Sequence, residues 1–297
     1  MMSKMLEHSA QRTKVAYLLL FSLMGSFLAG ALLHMIGMSY PAFTGTIWYY
    51  RLTILLQDLL VMFLPAYTLY RWIGGTPMKR MGLKRTGKLP LALLVTLLVF
   101  AVSYPGIAVV ARWNEQMVLP DALRGVENWM RQMEDALRQL TDLFLSGESW
   151  IDLLMNLFLV AATAAFVEEI FFRGALQQLL ERWFRKGHLA VWVTAFIFSA
   201  IHLQFFGFFP RLLMGAVLGY LFLYSGNLWL PMLYHFVNNA SVVVITFFCG
   251  ENNFLEQLEK KPLTWGAIPV MIASGVLTYF IFLRFKRLID DQKHDSD

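Results

Sequence analysis

Apolar residues run along this chain in long stretches and do not alternate with polar ones. The stretches are about 17–25 residues long, the length that lets a helix cross roughly 30 Å of hydrocarbon. Eight spans can be placed, at about Val15–Met38, Trp48–Ile73, Leu89–Ala111, Trp150–Leu180, Leu189–Gln204, Pro210–Tyr224, Leu228–Cys249 and Gly266–Phe285. The fifth and sixth are short and are joined by a tight Phe205–Phe209 connection. The pattern predicts an all-α, polytopic membrane helical bundle of about eight transmembrane helices, with residues 1–297 forming a single integral-membrane domain. Within it, 15–111 hold three N-terminal helices, 112–149 an outer connection, 150–249 the core helices and 266–289 the last helix.

The outer connection has a different rhythm. Ala122, Val126, Trp129, Met130, Met133, Leu137, Leu140 and Phe144 recur at helical spacing, while Arg124, Glu127, Arg131, Glu134, Asp135, Arg138 and Asp142 fill the other face. An amphipathic helix over 121–144 is expected, lying in the interface or packing back on the bundle. The Gly74–Lys88 segment reads as a solvated connection and Asp290–Asp297 as a frayed end.

Composition agrees with the pattern. The chain is 58% hydrophobic and 15% charged, with 25 Phe, against about 45–50% apolar and about 25% charged for soluble domains. Basic residues give an orientation. With the N-terminus inside, inner segments carry 16 Lys and Arg, among them Lys4, Arg85, Lys88 and Lys293, and outer segments carry 8, including Arg51, Arg124, Lys260 and Lys261. That bias places both termini in the cytoplasm and suits a plasma (inner) membrane. The net charge of +5 is then membrane-surface charge, with the lipid bilayer as partner and no nucleic acid. Leu28-Ala29-Gly30-Ala31 resembles a signal-peptide cleavage site, but the apolar run continues past it, so an uncleaved helix is expected. Cys249 has no second cysteine to pair with and reads as apolar filler. Trp48, Tyr49, Tyr50, Trp150, Trp192 and Trp229 suit an interfacial aromatic belt.

Charged groups inside a span cost at least about 2.5–3.5 kcal/mol each on insertion scales, so those present are informative. The fourth span carries Glu168, Glu169 and Arg173, the fifth His202, and the seventh His235, Asn238 and Asn239. Glu169 and Arg173 are four apart and can pair, which reads as a structural ion pair. Glu168 is turned about 100° away and is left for another partner. His235 and Asn239 share a face, while Asn238 points elsewhere. Helical rise puts all three helices' polar groups in the inner half or near the midplane. Gln57 and Asp58 in the second span read as a structural or cavity-lining pair, and Gly215 and Gly219 as close helix packing.

A carboxylate beside an imidazole can take a proton from water. A second imidazole and an amide can donate to the oxyanion that forms when water attacks a carbonyl. Glu168, His202 and His235 are equally the donors that a zinc ion would take. Either route hydrolyses an amide. The chain has no Gly-x-Ser-x-Gly and no His-Glu-x-x-His.

At these residues the sequence resembles the CAAX-processing and bacteriocin-immunity family of intramembrane proteases. Its pattern is matched by Glu168-Glu169 with Arg173, Phe198 with His202, and His235 with Asn239, within Val160–Val244. The surroundings agree at Phe172–Leu176, Gly215, Gly219 and Gly226–Pro231. The resemblance implies a helical core with a cavity open to the cytosolic side. In it Glu168 activates water with help from His202, His235 and Asn239 form an oxyanion hole, and Glu169 and Arg173 support them. The expected substrate is a membrane-associated peptide or protein, prenylated or not. Two other readings stand beside it. One is a non-catalytic immunity or scaffold protein. The other is a metal or ion transporter, against which speaks the lack of broken helix pairs at symmetric positions.

Overall fold

The computed structural model of the chain describes residues 9–84, 89–145, 147–250 and 264–294. Lys4, Arg85, Lys88, Lys260 and Lys261 lie outside the described residues, as does the side chain of Lys293. The helices are α1 (Gln11–Ser39), α2 (Ile47–Ile73), α3 (Pro77–Met81), α4 (Leu89–Glu115), α5 (Arg124–Leu145), α6 (Trp150–Phe184), α7 (Gly187–Ala200), α8 (Phe208–Ser225), α9 (Trp229–Cys249) and α10 (Ala267–His294). The tail expected to fray at Asp290 is helical as far as His294.

Seven of these helices are long and apolar enough to cross a membrane. The expected eighth, Leu189–Gln204, is shorter than its sequence suggested: α7 ends at Ala200 after 14 residues. At 1.5 Å per residue it rises roughly 21 Å, too little to cross the hydrocarbon alone. It is held instead as the first arm of a hairpin with α8. The outward surface is apolar, with Phe27, Leu94 and Phe158 more than half exposed, as a helix bundle solvated by lipid requires. Trp48, Trp150, Trp192 and Trp229 are also exposed.

Local chemistry sets the element ends. The Thr46 hydroxyl accepts from the Tyr49 N–H at the start of α2, and Ser149 accepts from the Asp152 N–H at the start of α6, each satisfying a free donor of the first turn. Arg51 and Asp152 meet at 2.6 Å and place these two starts at the same end of the bundle. Gly226 takes the left-handed conformation that closes α8.

Two helices are irregular where the core needs it. α2 widens to π winding over Asp58–Phe63, and α6 does so over Leu157–Thr163 and again over Ile170–Gln177. A π turn inserts one residue and rotates every face beyond it, and such bulges are frequent at functional sites. The α2 bulge packs on α1, where Gly25 lets the backbones touch: a Cβ there would lie 1.9 Å from the Leu60 carbonyl oxygen.

α5 packs back on the bundle through a face of mixed character, on which Met130 meets the Phe205–Phe206 turn and Phe144 meets the Tyr50 ring edge-on, with polar groups between them. Glu134 accepts from the Phe206 N–H at 3.2 Å, and the Arg131 guanidinium lies 4.3 Å over the Phe206 ring. Val126 and Leu140 remain exposed on the outside, while the half-exposed Trp129 rests on the Phe205 ring at 5.2 Å. Asn114 of α4 holds the same connection from another side, accepting from the Phe209 N–H at 2.9 Å and donating to the Phe205 carbonyl at 3.2 Å. Burial pushes the Glu134 carboxyl above the ordinary range, against the Phe206 N–H that holds it down. Glu134→Ala removes that acceptor and orphans a buried N–H, a loss of about 1–3 kcal/mol. Hydrogen exchange at residues 203–207 should quicken in the solubilised variant, and unchanged protection would show that α5 does not clamp this turn.

Candidate active site

Glu169 is fully buried, as is Arg173 one turn on. Glu169 Oε1 accepts from Arg173 Nη1 at 2.7 Å and from His235 Nδ1 at 2.9 Å. The expected pair on α6 is therefore a three-membered cluster that ties α6 to α9. Arg173 Nη2 also donates to the Gly215 carbonyl of α8 at 3.0 Å, and its guanidinium lies 4.7 Å over the Phe198 ring of α7. One turn further on, Gln177 donates to the Gly219 carbonyl at 3.0 Å. Gly219 is small for a reason: a Cβ would lie 2.8 Å from Val191 and 3.0 Å from Gln177. Buried charges persist only when paired and hydrogen-bonded, and this cluster draws partners from four helices, leaving Glu169 Oε2 and Arg173 Nε without one among the described residues.

The hydrogen bonds fix the imidazoles. Glu169, ionised beside Arg173, can only accept, so the proton sits on His235 Nδ1. His235 Nε2 then faces Glu168 Oε2 at 3.9 Å, beyond hydrogen-bond range. His202 Nδ1 lies 2.6 Å from the Phe198 carbonyl, which likewise only accepts. Its Nε2 is left as an acceptor in the neutral ring. His202 is not inside a span as its sequence position suggested. It sits in the turn after α7, where Leu203 takes a left-handed conformation (φ 54°) that L side chains rarely adopt. Phe198 supports the group, touching the rings of both His202 and His235 edge-on.

A cavity of about 690 Å³ lies between α1, α2, α6, α9 and the end of α7, within the range of small-molecule and peptide sites. Glu168, His202 and Asn239 all line it. Glu168 lies near the middle of α6. Its Oε2 is buried and accepts no hydrogen bond from the described residues, which leaves Oε1 as the oxygen that faces the cavity. Asn239 donates one amide proton to the Val160 carbonyl at 3.0 Å and accepts from Asn238 at 3.2 Å. Its second amide proton is free to donate into the cavity. His235, expected beside Asn239 on the wall, is only 3% exposed and stands behind Glu168. The cause is Glu169, whose carboxylate holds the ring from the far side.

The zinc set Glu168, His202 and His235 does not assemble. Among the described residues no three His, Cys, Asp or Glu converge as metal ligands. Two donors about 2.0–2.1 Å from a tetrahedral zinc lie roughly 3.4 Å apart, whereas His235 Nε2 and Glu168 Oε2 are 3.9 Å apart.

Two residues gain importance from the fold. Asp58, with Gln57, lines the same cavity as Glu168, the cavity-lining alternative for that pair. Gln177 had no signal in the sequence beyond a polar residue in an apolar stretch.

The adjacent glutamates should respond oppositely to neutralisation. Glu169→Gln leaves Arg173 without its counter-ion in the core, and a broken buried pair costs about 3–5 kcal/mol. Glu168→Gln removes a carboxylate with no hydrogen-bond partner, so thermal unfolding in detergent should occur at the wild-type temperature or above. Equal destabilisation by both substitutions would contradict the different environments described here.

The comparisons fall on the segment that supplies these residues. Residues 150–241 match the family of type II CAAX prenyl endopeptidase Rce1-like proteins. An uncharacterized protein of Bacillus subtilis (strain 168), YpbD, is 32% identical over 80 residues, covering 26% of this chain and 38% of that protein. The match thus spans well under half the length of that relative. No solved structure matches the chain. The protein is an integral, multi-pass membrane protein, and its residues 150–241, where the buried cluster and Glu168, His202 and Asn239 all reside, are similar to the Rce1-like type II CAAX prenyl endopeptidases.

Proposed function

We propose that the chain is an intramembrane endopeptidase of the CAAX-processing type, in which Glu168 activates the attacking water. The carrying observation is a carboxylate that lines a cavity in the bundle and has no hydrogen-bond partner among the described residues, beside a neighbouring glutamate that has two. A carboxylate held in this way, out of bulk water and with no cation on it, is free to accept a proton.

In the proposed reaction, a water oxygen attacks the carbonyl carbon of the scissile bond while Glu168 takes one of its protons. His202 Nε2 accepts a hydrogen bond from the same water and orients it. Charge develops on the carbonyl oxygen, and the free Asn239 amide proton donates to it. The C–N bond then breaks, and Glu168 returns its proton to the leaving nitrogen. The products are a new carboxylate and a new amine. His235 acts through Glu168 and not on the substrate. Its ring, anchored by Glu169, backs the carboxylate in front of it at 3.9 Å without bonding to it. This differs from the oxyanion role that the family resemblance implied for His235, and burial is the reason.

The substrate is a peptide or protein anchored in the same bilayer, prenylated or not, because the cavity lies among spanning helices. The excess of basic residues on the inner segments supports a plasma-membrane orientation with both termini cytoplasmic.

Reconstituted protein should cleave a membrane-anchored peptide, assayed by mass spectrometry with prenylated and unprenylated versions side by side. Asn239→Ala should lower kcat about 10²–10³-fold with little change in KM, the loss expected for one oxyanion donor. Chelator treatment should leave the rate unchanged, since the donors do not converge on a metal position. Cleavage of neither peptide, or full activity in Asn239→Ala, would count against this mechanism.

A further inference from the structure

The cavity holds a second carboxylate that the proposed reaction does not use. Asp58 is 8% exposed, lines the cavity and has an oxygen, Oδ2, that accepts no hydrogen bond from the described residues. It stands at the first residue of the π-wound turn of α2, which packs against the part of α6 that carries Glu168. Gln57 lines the cavity beside it, and the buried Ser22 hydroxyl opposite on α1 is also without a partner. Among the described lining residues there is no Lys or Arg.

Two carboxylates facing one low-dielectric space without a cation are costly, and an opposite charge brought between them is strongly held. The surrounding wall suits a long alkyl stem: Leu19, Ile54 and Val61 line it next to the polar group. A lysine side chain has this shape, an apolar stem with a point charge at its tip. Glu168 must stay free to take a proton from water, so the acceptor left for a resident cation is Asp58.

We propose that Asp58, with Gln57, forms a subsite for a basic side chain of the substrate, flanking the bond that Glu168 attacks. This rests on the endopeptidase reading and adds a substrate class to it: a membrane-anchored peptide with a lysine close to the cleaved bond. Asp58 is thereby a specificity-determining residue and takes no part in proton transfer. The other way to accommodate both carboxylates is a proton shared between Asp58 and Glu168, and that arrangement gives no preference for a cation.

The test uses the full chain in nanodiscs, with lipid-anchored peptides that carry lysine or its uncharged analogue norleucine at successive positions. Binding is read in the Glu168→Gln background, so that it does not depend on turnover, and kcat/KM is read in the wild type. At one position lysine should bind at least about tenfold tighter than norleucine. Asp58→Asn should abolish the difference, and Asp58→Glu should keep most of it. Both variants should retain the wild-type unfolding temperature to within a few degrees, and if Asp58→Asn does not fold, the lysine-to-norleucine ratio in wild type and Asp58→Glu still decides. A lysine preference in binding without any cleavage would sustain the subsite and defeat the endopeptidase reading. Cleavage with no lysine preference at any position, or a preference that survives Asp58→Asn, would overturn the subsite and leave the endopeptidase reading standing.

Discussion

The bundle is organised around a single carboxylate oxygen. Glu169 Oε1 receives both the Arg173 guanidinium and the His235 imidazole in a space sealed from solvent. An ion in such a place demands every partner it can get, and the demand propagates outward. Arg173 recruits the Gly215 carbonyl and the Phe198 ring, and so draws α7 and α8 against α6. His235 brings α9 to the same point. Three helices are thus registered by hydrogen bonds that cannot be traded for water, and α7 by its ring against the guanidinium, which apolar packing in lipid could not do with the same precision of register.

That arrangement divides the labour between two adjacent residues of one type. Glu169 is consumed in holding the core, and Glu168 is left over. The helical rotation of about 100° between neighbours turns the second carboxylate to the other side of α6, where the cavity lies. π turns on α6 and on α2 border the same cavity. The one over Leu157–Thr163 includes the Val160 carbonyl that pins Asn239, and the one over Asp58–Phe63 begins at the cavity carboxylate of α2.

Much of this could be read from the residue pattern, and what could not has identifiable causes. Seven of the eight expected spans are long helices because length and apolarity decide membrane crossing. The fifth misled because Ile201 and Leu203 extend the apolar run beyond Ala200, while the chain turns there through a left-handed Leu203 that has no glycine to announce it. The Glu169–Arg173 pair was legible, since four-residue spacing on a helix settles who meets whom. Its bond to His235 was not, because contacts between helices depend on their mutual rotation, and the π turns change that rotation without a mark in the sequence. The same blindness put His235 on the cavity wall and not behind Glu168. α5 shows a further limit: its amphipathic pattern is plain, yet the docked face mixes the two sides, Glu134 and Arg131 meeting Phe206 beside Met130 and Phe144, while Val126 and Leu140 stay exposed.

In the proposed reaction Glu168 takes the proton from water while Glu169 holds the fold. The most direct measurement is cleavage of a membrane-anchored peptide by reconstituted Glu168→Gln protein beside wild type, with the unfolding temperature of both recorded. The expected result is a variant that folds as well as wild type and cleaves at least about 10²-fold more slowly. A folded Glu168→Gln protein that cleaves at the wild-type rate would contradict it.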